Sequence, residues 1–423
     1  MKEITPANIT FADLNLDERL LRAISAKGYT TPSPIQAQCI PHLLDGRDVL
    51  GTAQTGTGKT AAFALPILQL LLRHPRRMPR NGVRALILTP TRELAAQIHQ
   101  SFLDYGAHTG VHCAVIYGGV GFQPQIRALQ KGVDVLVATP GRLIDLGSRG
   151  CLNLEQLSVF VLDEADRMLD MGFQPAVQRI VNEIPEVRQS LLFSATMPAS
   201  VKGLAEKMLS DPVHISVATE SATADNIAQE VWHVEGTDKK PLLLHVLQER
   251  HAEGLVMVFM RMKHAANKVA DFLKKNGIAA EAIHGNKSQN ARERALAAFR
   301  SGKARVLVAT DVASRGIDIK GVELVVNYDM PDEAEAYIHR IGRTARAGAS
   351  GKAISFAERD DRSMVRAVER LIRQEIPVQK EHPFTGRSSA PAFAPGPSAG
   401  NPAEAPGRSR VGWMFRRRAA SRR

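Results

Sequence analysis

The stretch Asp48-Val-Leu-Gly-Thr-Ala-Gln-Thr-Gly-Thr-Gly-Lys-Thr60 opens on a short apolar run and closes on two glycines, a lysine and a threonine. An apolar strand that ends in such a turn, and is followed by the helix-like segment Ala61 to Leu72, has the form of a phosphate-binding loop. Ala53 stands where that loop usually has its first glycine. Across Ala53, Gln54, Thr55, Gly56, Thr57 and Gly58, the two glycines let backbone N–H groups wrap phosphate oxygens. Lys59 can place its charge on the β and γ phosphates, and the Thr60 hydroxyl can ligate Mg²⁺. The alternative is a glycine-rich turn with a stray lysine; the flanking strand and helix weigh against it.

Similar apolar, β-branched runs recur outward from this point. Ala85-Leu-Ile-Leu, His112-Cys-Ala-Val-Ile, Val133-Asp-Val-Leu-Val, Val159-Phe-Val-Leu and Leu191-Leu-Phe form one series. Val256-Met-Val-Phe, Ala282-Ile, Arg305-Val-Leu-Val, Leu324-Val-Val and Ala353-Ile-Ser-Phe form a second. Continuous rather than alternating apolarity marks strands covered on both faces, so these runs are expected in parallel sheets built from βα units. The pentapeptide Val135-Leu-Val-Ala-Thr139 returns unchanged as Val306-Leu-Val-Ala-Thr310. With the two series it suggests two similarly built halves, although buried strands share residues often enough for such an echo to arise by chance. The expected division is a first domain over 1–212, a linker over 213–226, a second domain over 227–380 and a tail over 381–423. The tail is rich in Pro, Gly, Ala and Ser and then in arginine, and cannot bury enough apolar surface to order itself.

A chain of 423 residues with 44% hydrophobic and 23% charged residues has the bulk for two or three folded domains. Its net charge of +12 is uneven, because residues 387–423 hold eight arginines and one acid. A polyanionic partner therefore enters early. Cys39, Cys113 and Cys151 are odd in number and widely spaced, which argues against a disulfide framework or a zinc site and suits a reducing, cytoplasmic compartment. The N-terminus has no signal-like apolar core, and the longest greasy run is too short and too interrupted to span a membrane.

In parallel sheets ligands bind beyond the carboxyl ends of strands. Val159-Phe-Val-Leu162 is followed by Asp163-Glu-Ala-Asp166. Asp163 is placed to be the second Mg²⁺ ligand beside Thr60, and Glu164 to orient and help deprotonate an attacking water. An acidic helix N-terminus is the plainer reading of a lone pair of acids, but here the pair accompanies a phosphate loop.

These features, with Ser194-Ala-Thr196 and His339-Arg-Ile-Gly-Arg-Thr-Ala-Arg346, resemble the DEAD-box ATP-dependent RNA helicases. Ala282-Ile-His-Gly-Asn-Lys-Ser-Gln289 resembles the bacterial RhlE-like group in particular. The likeness covers about Ile9 to Val378. It implies two RecA-like α/β domains that close around Mg-ATP and a strand of RNA. Phe11 and Gly28-Tyr-Thr-Thr-Pro-Ser-Pro-Ile-Gln36 resemble the family's Q motif, in which the Gln36 amide would read the adenine edge with its donor and acceptor. Ser194 and Thr196 resemble the segment coupling nucleotide state to duplex separation.

The resemblance implies RNA contacts at Pro90, Thr91, Arg92, Gly118, Gly119, Thr139, Gly141, Arg142, His284, Gly285, Gln289, Arg292 and Thr310. Small residues, hydroxyls and arginines suit phosphate contacts, and the scarcity of aromatics argues against base reading. Arg343 and Arg346 would reach the γ-phosphate as arginine fingers from a half with no phosphate loop of its own. Asp318 would contact the ribose, and Asp311 would help hold the halves together. RNA is the expected partner, with ribosome-assembly or RNA-degradation machinery as further candidates and no membrane.

Three departures stand out. Ser33 replaces a usual threonine and keeps the hydroxyl. Met262 replaces another and loses it. Ala345 replaces a glycine, and ordinary helical backbone is expected there.

Overall fold

The computed structural model describes residues 9–53, 56–217, 226–251, 253–311, 319, 321–345 and 350–384. The two series of apolar runs become two seven-stranded sheets, parallel throughout. The first contains β1 (Val49–Thr52), β2 (Val83–Leu88), β3 (Cys113–Ile116), β4 (Val133–Ala138), β5 (Val159–Leu162), β6 (Gln189–Ser194) and β7 (Val213–Ser216), in the order β3-β4-β2-β5-β6-β1-β7. The second contains β8 (Ile227–His233), β9 (Leu255–Met260), β10 (Ala280–Ile283), β11 (Val306–Thr310), β12 (Val322–Asn327), β13 (Gly351–Ala357) and β14 (Val378–Gln379), in the order β10-β11-β9-β12-β13-β8-β14. Subtracting seven from each label of the second order reproduces the first. The repeated pentapeptide therefore lies on corresponding strands, β4 and β11.

Apolarity on both faces is used as such. Val135, Val137, Val159 and Val161 pack into one core of the first sheet, while Leu136, Phe160 and Leu162 pack into another. In the second sheet Val256, Val258, Val306 and Val308 serve one core, and Met257, Phe259, Leu307 and Ala309 the other. Burying all these side chains, each contributing about 1.5–3 kcal/mol, makes the sheets rigid platforms whose strand ends can hold chemistry. Both sheets belong to one compact unit, residues 1–388.

Two expected boundaries move. Val213–Ser216, expected in the linker, pair with β1 as the edge of the first sheet. His382, expected in the tail, is buried, stacks on Trp232 with ring centroids 5.5 Å apart and bonds the His233 carbonyl, while Phe384 packs against the neighbouring core. An aromatic pair thus holds a segment that composition alone assigns to the tail. Most of the expected tail, from residue 385, lies outside the described residues, as do 218–225 of the linker.

At the strand-end positions the second half repeats the first in one further way. Lys239 opens the helix after β8, as Lys59 opens the helix after β1. Lys239 is buried, and its Nζ pairs with Asp329, beyond β12, at 3.1 Å and with Glu358, beyond β13, at 2.7 Å.

Candidate functional site

The loop after β1 is built against the helix Pro34–Leu44. Ser33 caps that helix, its N–H donating to Gln36 Oε1 at 2.9 Å. The Ser33 hydroxyl donates to the Thr57 carbonyl at 2.7 Å, and Gln36 Nε2 to the Gly58 carbonyl at 3.1 Å. Gly58 has φ +95, and a Cβ there would lie 2.5 Å from Gln36 Nε2, so only glycine fits. Gln36 is therefore engaged on both amide functions within the protein. Its oxygen retains a lone pair and its nitrogen a hydrogen for the adenine edge expected of it. Lys59 is buried at the start of the helix Lys59–Arg73 and donates to the Ala53 carbonyl at 2.9 Å, which folds its ammonium back over the loop. Gln54 and Thr55 lie outside the described residues.

Asp163 follows β5 directly. Burial pushes its carboxyl up to about 6, against the pull of Lys59 and with the push of Glu164. Glu164 is buried with φ 57, a left-handed conformation that costs a non-glycine residue on the order of 1–2 kcal/mol. Its Oε2 is held by Arg167 Nη1 at 2.5 Å, while Oε1 is buried without a partner. Strain and an orphan oxygen converge on the residue expected to handle water.

Asp166 has a role that the resemblance did not assign to it. Its Oδ2 accepts from the Ala195 N–H at 3.1 Å, the Thr196 N–H at 2.8 Å and the Thr196 hydroxyl at 2.9 Å. Its own N–H donates to the Ser194 hydroxyl, which in turn donates to the Thr196 carbonyl. Burial would raise this carboxyl, but the bonds from Thr196 and the Arg167 N–H outweigh it and hold the group below the usual range. The segment Ser194–Thr196 is thus tied to the end of β5. Two acids separated by a pair of residues just after a strand were the available signal.

An open cavity of about 870 Å³ gathers the candidates. Phe11, Gln36, Gly56, Thr57, Gly58, Lys59, Thr60, Asp163 and Glu164 line it from the first half, and Arg343 from the second. Arg343 is buried and its Nε donates to the His339 carbonyl at 3.1 Å. Arg346 and Asp318 lie outside the described residues.

The expected RNA contacts fall into two groups. At the ends of β2, β3 and β4, Thr91 caps the helix Arg92–Tyr105, and Thr139 begins the helix Pro140–Ser148. Arg92 lies over Gly118 and Gly119, where a Cβ on Gly119 would overlap its guanidinium. Arg142 is buried, stacks 4.1 Å from the Phe122 ring and donates to the Val120 carbonyl, yet its Nε and Nη1 have no partner. An incoming anion would satisfy those donors. Gly141 and Gly285 face open space, as close backbone approach requires. Pro90 and Thr310 are buried at strand ends, and His284 is buried with both ring nitrogens unpartnered.

Gln289 and Arg292 behave differently. Arg292 Nη2 pairs with Glu93 of the first half at 2.9 Å, and Gln289 Nε2 reaches the same carboxylate at 3.5 Å. Both are buried, and Arg292 Nε and Gln289 Oε1 have no partner there. Asp311, expected to help hold the halves together, grips Arg340 of its own half through two bonds of 2.6 Å. That fork geometry is the strongest arrangement a carboxylate and guanidinium can adopt.

Ala345 overturns another expectation. Its φ is 55, not helical, because the chain turns sharply after Thr344, whose hydroxyl is anchored on the Val322 carbonyl at 2.6 Å. Ala345→Gly is therefore expected to stabilise the protein by about 0.5–1 kcal/mol, the relieved Cβ clash exceeding the added unfolded-state entropy. A denaturant midpoint that falls instead would show the left-handed turn to be unstrained. Met262 is the exposed N-cap of the helix Lys263–Lys275 and supplies no capping bond, where a threonine hydroxyl could.

Comparison with known proteins agrees with this layout. The DEAD/DEAH box helicase family pattern matches residues 33–204, and the helicase conserved C-terminal domain matches residues 238–348. The chain is 45% identical over 372 residues to the ATP-dependent RNA helicase DeaD of Escherichia coli strain K12, covering 87% of this chain and 58% of that protein. For DeaD of Klebsiella pneumoniae the identity is 44%, with 87% and 56% covered. The chain thus spans little more than half the length of these relatives. Among solved structures, S. cerevisiae Dbp5 bound to RNA and ADP BeF3 matches with a TM-score of 0.76 and 32% identity over 88% of this chain and 95% of that one. Mss116 bound to ssRNA and AMP-PNP matches with a TM-score of 0.80 and 28% identity over 90% and 81%.

Proposed function

Because the chain belongs to the DEAD-box helicase family, we propose that it is an RNA-dependent ATPase that opens short RNA duplexes or remodels RNA–protein complexes. One observation carries this reading. Arg343 of the second half lines the same cavity as Lys59, Asp163 and Glu164 of the first. Hydrolysis at such a site depends on both halves, and so on whatever brings them together.

The phosphates of ATP lie along the loop that Gly56 and Gly58 shape, with Lys59 neutralising their charge. Thr60 and Asp163 would hold Mg²⁺. A hydroxyl and a buried carboxyl, oxygen donors both, fit that ion. When bound, Mg²⁺ supplies charge to the phosphate oxygens. Glu164, one oxygen fixed by Arg167 and the other unpartnered, orients water and accepts its proton. Arg343 stabilises charge developing on the γ-phosphate. Asp166, bound to both N–H groups beyond Ser194, transmits a shift of the β5 end to the Ser194–Thr196 segment. RNA lies along the β2, β3 and β4 ends and the Gly285 turn, held by its backbone. Three free cysteines suit the cytoplasm, and no helix among the described residues is long and apolar enough to cross a membrane.

Steady-state ATP turnover with RNA, with DNA and with neither tests the proposal. Stimulation by RNA alone supports it, equal stimulation by DNA points to a DNA translocase, and no stimulation by either rejects nucleic-acid coupling. Gln36→Ala is expected to relax the preference for ATP over GTP. It should also cost about 1 kcal/mol of stability, since the Ser33 N–H loses its bond to the Gln36 amide oxygen, the reciprocal half of the capping box. Unchanged preference in a nucleotide competition assay would place adenine recognition elsewhere.

A further inference from the structure

Four arginines that take no part in this site stand at the opposite end of the strands of the first sheet. Arg73 ends the helix Lys59–Arg73, and Arg76, Arg77 and Arg80 follow in the irregular connection that enters β2 at Val83. The connection feeds the start of β2, whereas the phosphate loop and Asp163 sit beyond strand ends. Six residues of β2 separate the two ends by roughly 20 Å.

All four arginines are exposed, and none forms an ion pair among the described residues. The connection that carries them is fixed. Met78 is buried between them, and a Cβ on Gly132 would come within 2.6 Å of Met78 Cβ and 2.5 Å of the Pro79 carbonyl, so the two backbones are pressed together. The Gly82 N–H bonds the Pro79 carbonyl at 2.9 Å, and Arg84 Nη2 bonds the His74 carbonyl at 2.7 Å. Lys131, next to Gly132, adds another exposed cation.

The nearby carboxylates do not balance this charge. Asp134 accepts from the His112 N–H at 3.0 Å and faces Arg84 at 3.6 Å, and Glu155 accepts from Asn153. A cation at a helix C-terminus complements the dipole, which accounts for Arg73 alone. Like charges held together on a rigid loop repel unless an anion joins them.

We propose that this connection is a second RNA-binding surface, taking the phosphate backbone of RNA that extends beyond the cleft between the halves. It rests on the RNA-dependent function proposed above. Guanidinium forks match phosphate oxygens. An acidic protein is the less suited partner, because protein interfaces are anchored by apolar or aromatic side chains. The exposed large apolar residues among those described, Tyr29, Leu103, Val187, Met262, Leu371 and Val378, are all outside this connection.

The test uses the full chain with all four arginines changed to glutamine, beside a second variant with all four changed to lysine. Binding of a long structured RNA is measured against salt, and ATP turnover is measured with a saturating short single strand. The glutamine variant is expected to bind the long RNA more weakly, its logarithmic salt slope reduced by about 0.7 for each arginine that had neutralised a single-stranded phosphate. Turnover with the short strand should be unchanged, and the lysine variant should keep most of the slope. An identical slope in the wild type and the glutamine variant overturns the proposal, even if that variant loses an acidic protein partner. Absence of RNA-stimulated turnover in the wild type itself would instead overturn the underlying function.

Discussion

Arg343→Ala is expected to lower kcat for RNA-stimulated ATP hydrolysis by about three or more orders of magnitude, the range an arginine finger supplies. The side chain is buried at the cavity wall and its Nε is oriented by the His339 carbonyl, so little entropy is lost when it meets the phosphate. Nucleotide binding by the first half should survive, because Lys59, Thr60 and Asp163 all belong to that half. A fragment ending at Val217, which keeps β7, should therefore bind ATP yet hydrolyse it negligibly. Wild-type turnover in the alanine variant, or full RNA-stimulated activity in the fragment, would show that the second half contributes nothing to chemistry.

Glu164→Gln should cut turnover by about two to four orders of magnitude while leaving ATP binding intact. The glutamine oxygen can still accept from Arg167, so the 2.5 Å contact that fixes the side chain is replaced rather than emptied. Loss of the proton acceptor is then separated from loss of geometry. Under the proposed function this variant should accumulate a closed complex with ATP and RNA, seen as slow RNA release after a chase. Rapid single-turnover hydrolysis would move the base to another residue.

The strand-end chemistry was legible because it is local. Apolar runs such as Val159–Leu162 and the acids after them lie within a few residues, and a sheet covered on both faces leaves no alternation to confuse the pattern. β8 was missed for the converse reason. Ile227–His233 carries Gln229 and Glu230, and its burial alternates at the start. β7 and β14 are short edge strands whose existence depends on a partner. The pairing of Arg292 with Glu93 joins residues about 200 positions apart, and nothing in either neighbourhood announces it. Ala345 misled because alanine favours helix, whereas its backbone is dictated by the turn anchored at Thr344. Asp311 and Arg340 were each legible as charged residues at strand and helix ends, but only the packing of one half decided that they meet.

The identical strand order of the two sheets, with a lysine opening the helix after the first strand of each, makes them two builds of one α/β plan with different charge at the corresponding lysine. In the first copy Lys59 remains beside a glycine loop, at the edge of an open cavity. In the second, Lys239 is held by Asp329 and Glu358, and a Cβ on Gly236 would already sit 3.4 Å from the Glu358 carboxylate. The second lysine is thus neutralised by carboxylates of the protein itself. Under the function proposed above, the lysine of the first half is the one of this pair that would meet a phosphate, so one bound nucleotide is expected to govern both halves.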